Sequence, residues 1–262
     1  MKATVFLGGG RITGALLGGL RLAKYTAPLL VHDRHPEKLR RLSRRYGISV
    51  EANLGRAIQQ AGLVIVAVRP GSVAALLDGI SNLHRPLTAV SLAAGVPLAE
   101  LRARLGPPVA WARAMPSPVC RSRHGLTALV FDRGVPSPAK RKIRKLFAQL
   151  GQVLEIPESQ FDAFTVTYSA SHGYHAVATL AQAAQKLGLR RNIALTAAAH
   201  ALADGIVAWR EEDLSLDALL DEAATPRGIA ATVVESMNRA GYQEAIHQGL
   251  AAGMLRARKN QP

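Results

Sequence analysis

The chain has 262 residues, enough for two domains of roughly 100–150 residues each, with a core that needs no covalent staples. Hydrophobic residues make up 48%, which excludes wholesale disorder, and the single cysteine, Cys120, excludes a disulfide framework and a multi-cysteine zinc site. Against 18 Asp and Glu stand 33 Lys and Arg, a formal charge of +15 that favours a polyanionic partner: nucleic acid, an anionic membrane or a phosphate-bearing cofactor.

Residues 3–7 (ATVFL) form a compact apolar strand, and 11–22 has helical spacing. The next strand is 29–32; residues 36–46 then read as a helix with Pro36 in its first turn and Gly47 just past its end. Residues 63–68 (LVIVAV) are an uninterrupted apolar run, the mark of a strand covered on both faces. Further strands are expected at 87–92, 109–113 and 126–131, with helical stretches between several of them. Strands alternating with helices imply a doubly wound parallel sheet of the Rossmann type. The basic run 140–145 (KRKIRK) falls on a helix starting near Ser137, where Ile143, Leu146, Phe147 and Leu150 supply the buried stripe and the charges the outer face. It has no interleaved aromatics, and aromatics are only 5% of the chain, which speaks against nucleic acid as a partner.

Beyond Ile156-Pro157 no strand is convincing, and alanine-rich helical patterns cover 158–187, 190–208, 214–223 and 226–256. Thr225 and Pro226 supply an N-cap and a first helical position for the last of these. Two domains are therefore expected: an α/β domain over 1–157 and an all-α domain over 158–262. The longest stretch without Asp, Glu, Lys or Arg, 163–185, holds two His, two Ser, three Thr and two Gln, too polar for a membrane span. The N-terminus breaks into glycine after one short apolar run, unlike a secretory signal. A cytoplasmic protein with no metal and no membrane association is the expectation, with Cys120 as packing.

Gly8-Gly9-Gly10-Arg11-Ile12-Thr13-Gly14 follows the first strand and opens the first helix. Glycine permits the tight turn and the close approach of a pyrophosphate to the backbone, and the helix N-terminus offers unpaired N–H groups to the anion. Thr13 stands where the third glycine or alanine of G-x-G-x-x-G/A would be. The second strand ends in Asp33-Arg34-His35, with Lys38 nearby. An acidic residue there would accept from ribose hydroxyls and favour NADH; the guanidinium of Arg34, helped by Lys38, would favour the 2′-phosphate of NADPH, and the balance leans to NADPH.

Three further motifs are Ala67-Val68-Arg69-Pro70, Ser91-Leu92-Ala93-Ala94-Gly95-Val96 and Arg113-Ala114-Met115-Pro116-Ser117. With the glycine loop, they make the chain resemble pyrroline-5-carboxylate reductase, whose motifs read A-V-K-P, S-x-A-A-G-V and R-A-M-P-N in the same order. The resemblance implies a Rossmann domain, a helical domain that interlocks two subunits, and reduction of a cyclic imine to proline with NAD(P)H. It places Gly8, Gly10, Arg11, Ile12 and Thr13 at the pyrophosphate, Arg34 at the adenosine ribose or its phosphate, and Ala67, Val68, Arg69, Pro70, Ala94 and Gly95 along the far half of the dinucleotide.

The helical domain departs from the pattern. The family's S-G-S-G-P-A-Y corresponds to Tyr168-Ser169-Ala170-Ser171-His172-Gly173-Tyr174, and T-S-P-G-G-T-T to 224–230, A-T-P-R-G-I-A, while Ser117 replaces the asparagine of R-A-M-P-N. Within and beside these altered motifs, His172, Tyr174 and Thr225 are the candidate catalytic residues and Ser117, Ser171, Arg227 and Gly228 the candidate substrate contacts. His172 is the candidate acid for the imine nitrogen, since an imidazole titrating near neutral pH can donate a proton there. Arg227 either clamps a carboxylate or points to solvent, and Thr225 is first of all a cap. Three readings follow: reduction of pyrroline-5-carboxylate, reduction of another imine or ketimine acid by the same fold, or dinucleotide binding without catalysis. A homodimer through the C-terminal helices is expected, with a higher oligomer left open.

Overall fold

The computed structural model describes residues 2–80, 83–211 and 214–259. One packing unit runs to Tyr168 and takes back the chain from Gly253, and the other spans 169–252.

In the first unit, β1 (Ala3–Leu7), α1 (Arg11–Leu22), β2 (Leu29–His32), α2 (Pro36–Tyr46), β3 (Ser49–Glu51), α3 (Leu54–Gln60) and β4 (Ala61–Val66) alternate as expected. They are followed by α4 (Val73–Asp78), β5 (Leu87–Ser91), α5 (Leu98–Arg104), β6 (Val109–Pro116), β7 (Gly125–Phe131), α6 (Ser137–Ala148), β8 (Gly151–Glu155) and α7 (Glu158–Thr167). The strands form one sheet in the order β3-β2-β1-β4-β5-β6-β7-β8. Successive side chains alternate between its faces: Val5 and Leu7 pack with Val64, Val66 and Trp111 on one side, Phe6 with Leu17 and Phe147 on the other.

The sheet is parallel-dominated rather than wholly parallel, because β6 and β7 pair antiparallel. The eight residues between them are too few for a crossover helix, which a parallel return would require. Strands β3 and β8, absent from the sequence reading, are the two edges of the sheet. Both are partly exposed and lack the continuous apolar run that reveals a central strand. On α6, Ile143, Leu146 and Phe147 are buried, while Arg144 turns back to bind Glu155 and lie over Phe131.

The packing division at 168/169 falls later than the 157/158 boundary read from the chain, because α7 is bound to the sheet. Phe161 is fully buried among the side chains of one sheet face. Arg113, itself 1% exposed, reaches from β6 to Glu158 at 2.8 Å and Asp162 at 3.2 Å, with its guanidinium 4.0 Å from the Phe161 ring centroid. Glu158 also accepts the Leu98 N–H that opens α5.

The second unit is helical: α8 (Ala170–Lys186), α9 (Arg191–Glu211), α10 (Leu216–Ala223), α11 (Ile229–Arg239) and α12 (Tyr242–Arg258), whose last turns belong to the first unit. The helix expected over 158–187 is broken at Ser169, whose extended backbone and side chain cap α8. The one expected over 226–256 is broken at Gly241, which takes a left-handed turn with φ +84°. The buried core of this unit is Ala181, Ala194 and Ala198.

Candidate active site

Strands β1, β2, β4, β5 and β6 run parallel, so the segments that follow them share one edge of the sheet. The chain leaves β1 toward β2 on one side and continues through β4 on the other, which makes the edge beside β1 and β4 the topological switch point where α/β sheets bind ligands.

The glycine loop lies there. Gly8 has φ +111°, and a Cβ on it would stand 2.7 Å from the Ala67 carbonyl oxygen, so no other residue fits. Gly10 caps α1 and has open space where a side chain would begin. The first turn of α1 carries neither a side-chain cap nor an acidic residue, leaving its N–H groups to an incoming anion. Arg11 is exposed beside them, and Ile12 is half-buried. The Thr13 side chain is fully buried and donates its hydroxyl to the Gly8 carbonyl at 2.6 Å, while its backbone lies in the first turn of α1. The bulk that replaces the third glycine of the motif thus becomes a strap across the loop.

Asp33 has partners within the protein as well. Its side chain is 8% exposed and turned inward: Oδ2 accepts from the Gly9 N–H at 2.8 Å, and Oδ1 accepts from the His35 N–H at 2.9 Å and lies 2.8 Å from His35 Nδ1. Burial raises the Asp33 carboxyl, but the two amides, the His35 ring and Lys38 at 3.6 Å outweigh it and hold the group below its ordinary value. A carboxylate engaged in this way braces the loop, with Oδ2 on a loop amide and Oδ1 on the turn into α2. Arg34 is exposed next to it, and Lys38 is partly exposed on the first turn of α2.

Farther along the edge, Ala67, Val68, Arg69 and Pro70 follow β4, with Arg69 exposed; Ala94 and Gly95 follow β5, Gly95 in a left-handed turn at φ +73°. Ser117 follows β6 and is 5% exposed. Its Oγ accepts from the Val119 N–H at 3.2 Å and from the Tyr168 hydroxyl at 3.0 Å. Tyr168 was not among the expected site residues; the pattern offers an aromatic at the first position of the 168–174 segment, and only the fold brings it to Ser117. Burial pushes the Cys120 thiol up to about 12, so it stays protonated and acts as packing.

In the helical unit, Ser171, His172 and Tyr174 lie in the first turns of α8, all exposed, with the Ser171 hydroxyl 2.7 Å from that of the capping Ser169. Thr225 does not start the next helix: α11 begins at Ile229 with Gly228 as its cap. Residues 225–228 form a turn closed by the Gly228 N–H donating to the Thr225 carbonyl at 2.9 Å, with Pro226 second and Arg227 third at φ +65°. A proline followed by a left-handed residue is the pattern of a type II turn, whose third position favours glycine. Arg227→Gly is therefore expected to stabilise the protein by about 0.5–1 kcal/mol in urea unfolding, and Arg227→Ala to leave it near wild type.

Residues 4–95 match the family model described as NADP oxidoreductase coenzyme F420-dependent, and 158–260 match that described as pyrroline-5-carboxylate reductase dimerisation. The pyrroline-5-carboxylate reductase of Thermus thermophilus is 32% identical over 261 residues, covering 96% of this chain and 95% of the relative. That of Mycobacterium tuberculosis is 28% identical over 286 residues, covering 98% and 96%. The crystal structure of Plasmodium falciparum pyrroline carboxylate reductase with NADP bound shares the fold at a TM-score of 0.86 and 18% identity, covering 100% of this chain and 98% of that one. A Rossmann-type unit with its glycine loop at the switch point, joined to a helical unit of this type and aligned end to end with such a relative, leaves one assignment: the chain belongs to the pyrroline-5-carboxylate reductase family.

Proposed function

We propose that the chain reduces a cyclic imine, pyrroline-5-carboxylate in the first instance, with NADPH. The observation that carries this reading is the nucleotide edge. An open, acid-free helix N-terminus stands behind a braced glycine loop, while the acidic residue that would select a free ribose is turned inward beside an exposed Arg34. The loop and α1 hold the pyrophosphate, Arg34 and Lys38 meet the 2′-phosphate, and Ala67–Pro70 with Ala94 and Gly95 border the nicotinamide half. The bound dinucleotide supplies the hydride. The helical unit supplies His172 as proton donor to the imine nitrogen, with Tyr174, Ser171, Thr225, Arg227 and Gly228 around the substrate.

The family's two threonines after the glycine pair are Ile229 and Ala230 here, and Arg227 takes the place of a glycine. These residues favour a second reading, an imine or ketimine acid with a different side group. The test is NADPH oxidation with a panel of cyclic imines, repeated with NADH and with Arg34→Gln. Turnover of pyrroline-5-carboxylate, with an NADPH preference that Arg34→Gln reduces about tenfold, is the expected result. Turnover of another imine alone selects the second reading, and tight NADPH binding with no turnover rejects both.

The chain acts as a homodimer in this proposal. Among the described residues the helical unit buries four alanines of its own, Ala181, Ala194, Ala198 and Ala231, and exposes Ile206, Val207, Trp209, Leu220 and Val233 by 43–52%. Apolar surface on that scale calls for a partner, and a second copy supplies a matching face. No helix among the described residues is long and apolar enough to cross a membrane.

A further inference from the structure

Two departures from the family motifs lie 51 residues apart in the chain and meet in the fold. Ser117 stands where R-A-M-P-N carries asparagine, and Tyr168 stands where S-G-S-G-P-A-Y opens on serine. The Tyr168 hydroxyl donates to Ser117 Oγ at 3.0 Å and accepts from the Leu126 N–H, at the start of β7, at 2.7 Å. The Tyr168 ring leans on Phe164 with centroids 5.3 Å apart, which sets the direction of its hydroxyl. Ser117 Oγ also receives the Val119 N–H at 3.2 Å.

Counting protons decides what Ser117 is left to do. A serine hydroxyl has two lone pairs and one hydrogen. Two donors, Val119 N–H and Tyr168 O–H, are aimed at the lone pairs, so the oxygen is saturated as an acceptor. The Tyr168 oxygen has in turn given its hydrogen to Ser117 and receives one from Leu126. A relay that begins at a backbone N–H and runs one way therefore leaves the Ser117 hydrogen as a donor with a fixed origin. An asparagine at 117 would carry its own N–H donors and fill more space; serine plus tyrosine restores both the volume and a donor. Ser117 also lies on the sheet edge past Gly8, Ala67 and Ala94, on the opposite side of β1 from Arg34. A dinucleotide laid along that edge with its adenosine at Arg34 brings its nicotinamide toward β5 and β6.

We propose that Tyr168 is a positioning residue, and that the Ser117–Tyr168 pair replaces the family's asparagine by presenting one fixed hydroxyl donor to an oxygen acceptor at the reacting end of the site. The acceptor is the nicotinamide carboxamide oxygen or the substrate carboxylate. This rests on the proposed imine-reductase reading.

The experiment compares wild type, Y168F, S117A, Y168F/S117A and the family-like S117N/Y168S, reading NADPH Kd, kcat, imine KM and the thermal midpoint. Y168F and S117A are each expected to lower kcat/KM about tenfold, the size of one lost hydrogen bond, and the double variant to lose no more than either single. S117N/Y168S is expected to regain most of that loss. A raised NADPH Kd identifies the carboxamide as acceptor, and a raised imine KM at unchanged NADPH Kd identifies the substrate. Losses that simply add, or a lowered midpoint with kcat/KM and Kd intact, overturn the proposal and make the pair a structural brace. If wild type binds NADPH but reduces no imine, the activity reading fails separately. The pair is then judged on Kd, and an unchanged value in Y168F overturns it.

Discussion

Asp33→Ala is expected to weaken NADPH and NADH binding by a similar factor, tenfold or more, and to lower stability at neutral pH by about 3 kcal/mol. The substitution removes one carboxylate and strands two backbone N–H groups, those of Gly9 and His35, in a region where Asp33 itself is 8% exposed. Gly9 is the middle of the loop that must accept the pyrophosphate, so the loss reaches both dinucleotides. A residue contacting only a ribose hydroxyl would behave otherwise, with NADH binding falling and NADPH binding unchanged or improved. Equilibrium titrations with both nucleotides separate the outcomes, and a loss confined to NADH would reject the brace. The pH dependence has a definite sign. The folded-state carboxyl is held below its ordinary value, so its contribution is fully present above the unfolded pKa and disappears as the pH falls through the lower folded value. Wild type and Asp33→Ala should differ most at neutral pH and converge in acid.

The second large effect is expected at Arg113. Replacing it with alanine should cost about 3–5 kcal/mol, because Glu158 and Asp162 lose their common partner and the Phe161 ring loses its cover. Arg113→Met, which keeps most of the volume, should cost clearly less than Arg113→Ala if packing on Phe161 matters as well as charge. The clamp is imperfect: Arg113 Nε and Glu158 Oε2 are buried without partners. Glu158→Gln is therefore expected to be milder, about 1–2 kcal/mol, since that side chain is one-third exposed and solvent screens its charge. Urea unfolding of the three variants tests the order; an Arg113→Ala protein as stable as wild type would remove the clamp from the account of why α7 stays on the sheet.

The central strands were legible because strands buried on both faces leave unbroken apolar runs, as at 63–68. Edges leave no such trace, which is why β3 and β8 are not legible in the sequence. The glycine loop and its place at the head of α1 were legible because strand, turn and helix are contiguous in sequence. The inward turn of Asp33 was not, because whether a strand-end carboxylate faces a ligand or a loop amide is decided by the backbone 24 residues away. The break after α7 carries neither glycine nor proline; it is made by the extended backbone of Ser169, which periodicity does not register. At 225–228 the sequence signal is double: Thr-Pro suits a helix start, but a proline followed by a position the family fills with glycine equally suits a turn, and Arg227 at φ +65° shows the turn prevailing.

A helical unit of 84 residues whose packed cluster of buried side chains is three alanines has a consequence for how the protein responds to dilution. In the proposed homodimer, with so little apolar surface covered inside one protomer, the order of this unit rests on association, and order that rests on association depends on concentration. The sheet, with a packed core on each face, melts as a property of one chain. In that dimer the helices melt as a property of two chains. On the proposal of a homodimer, a cell that makes little of this protein holds chains whose sheet unit is folded while the helical unit lacks its second copy, so abundance itself sets how much complete enzyme exists.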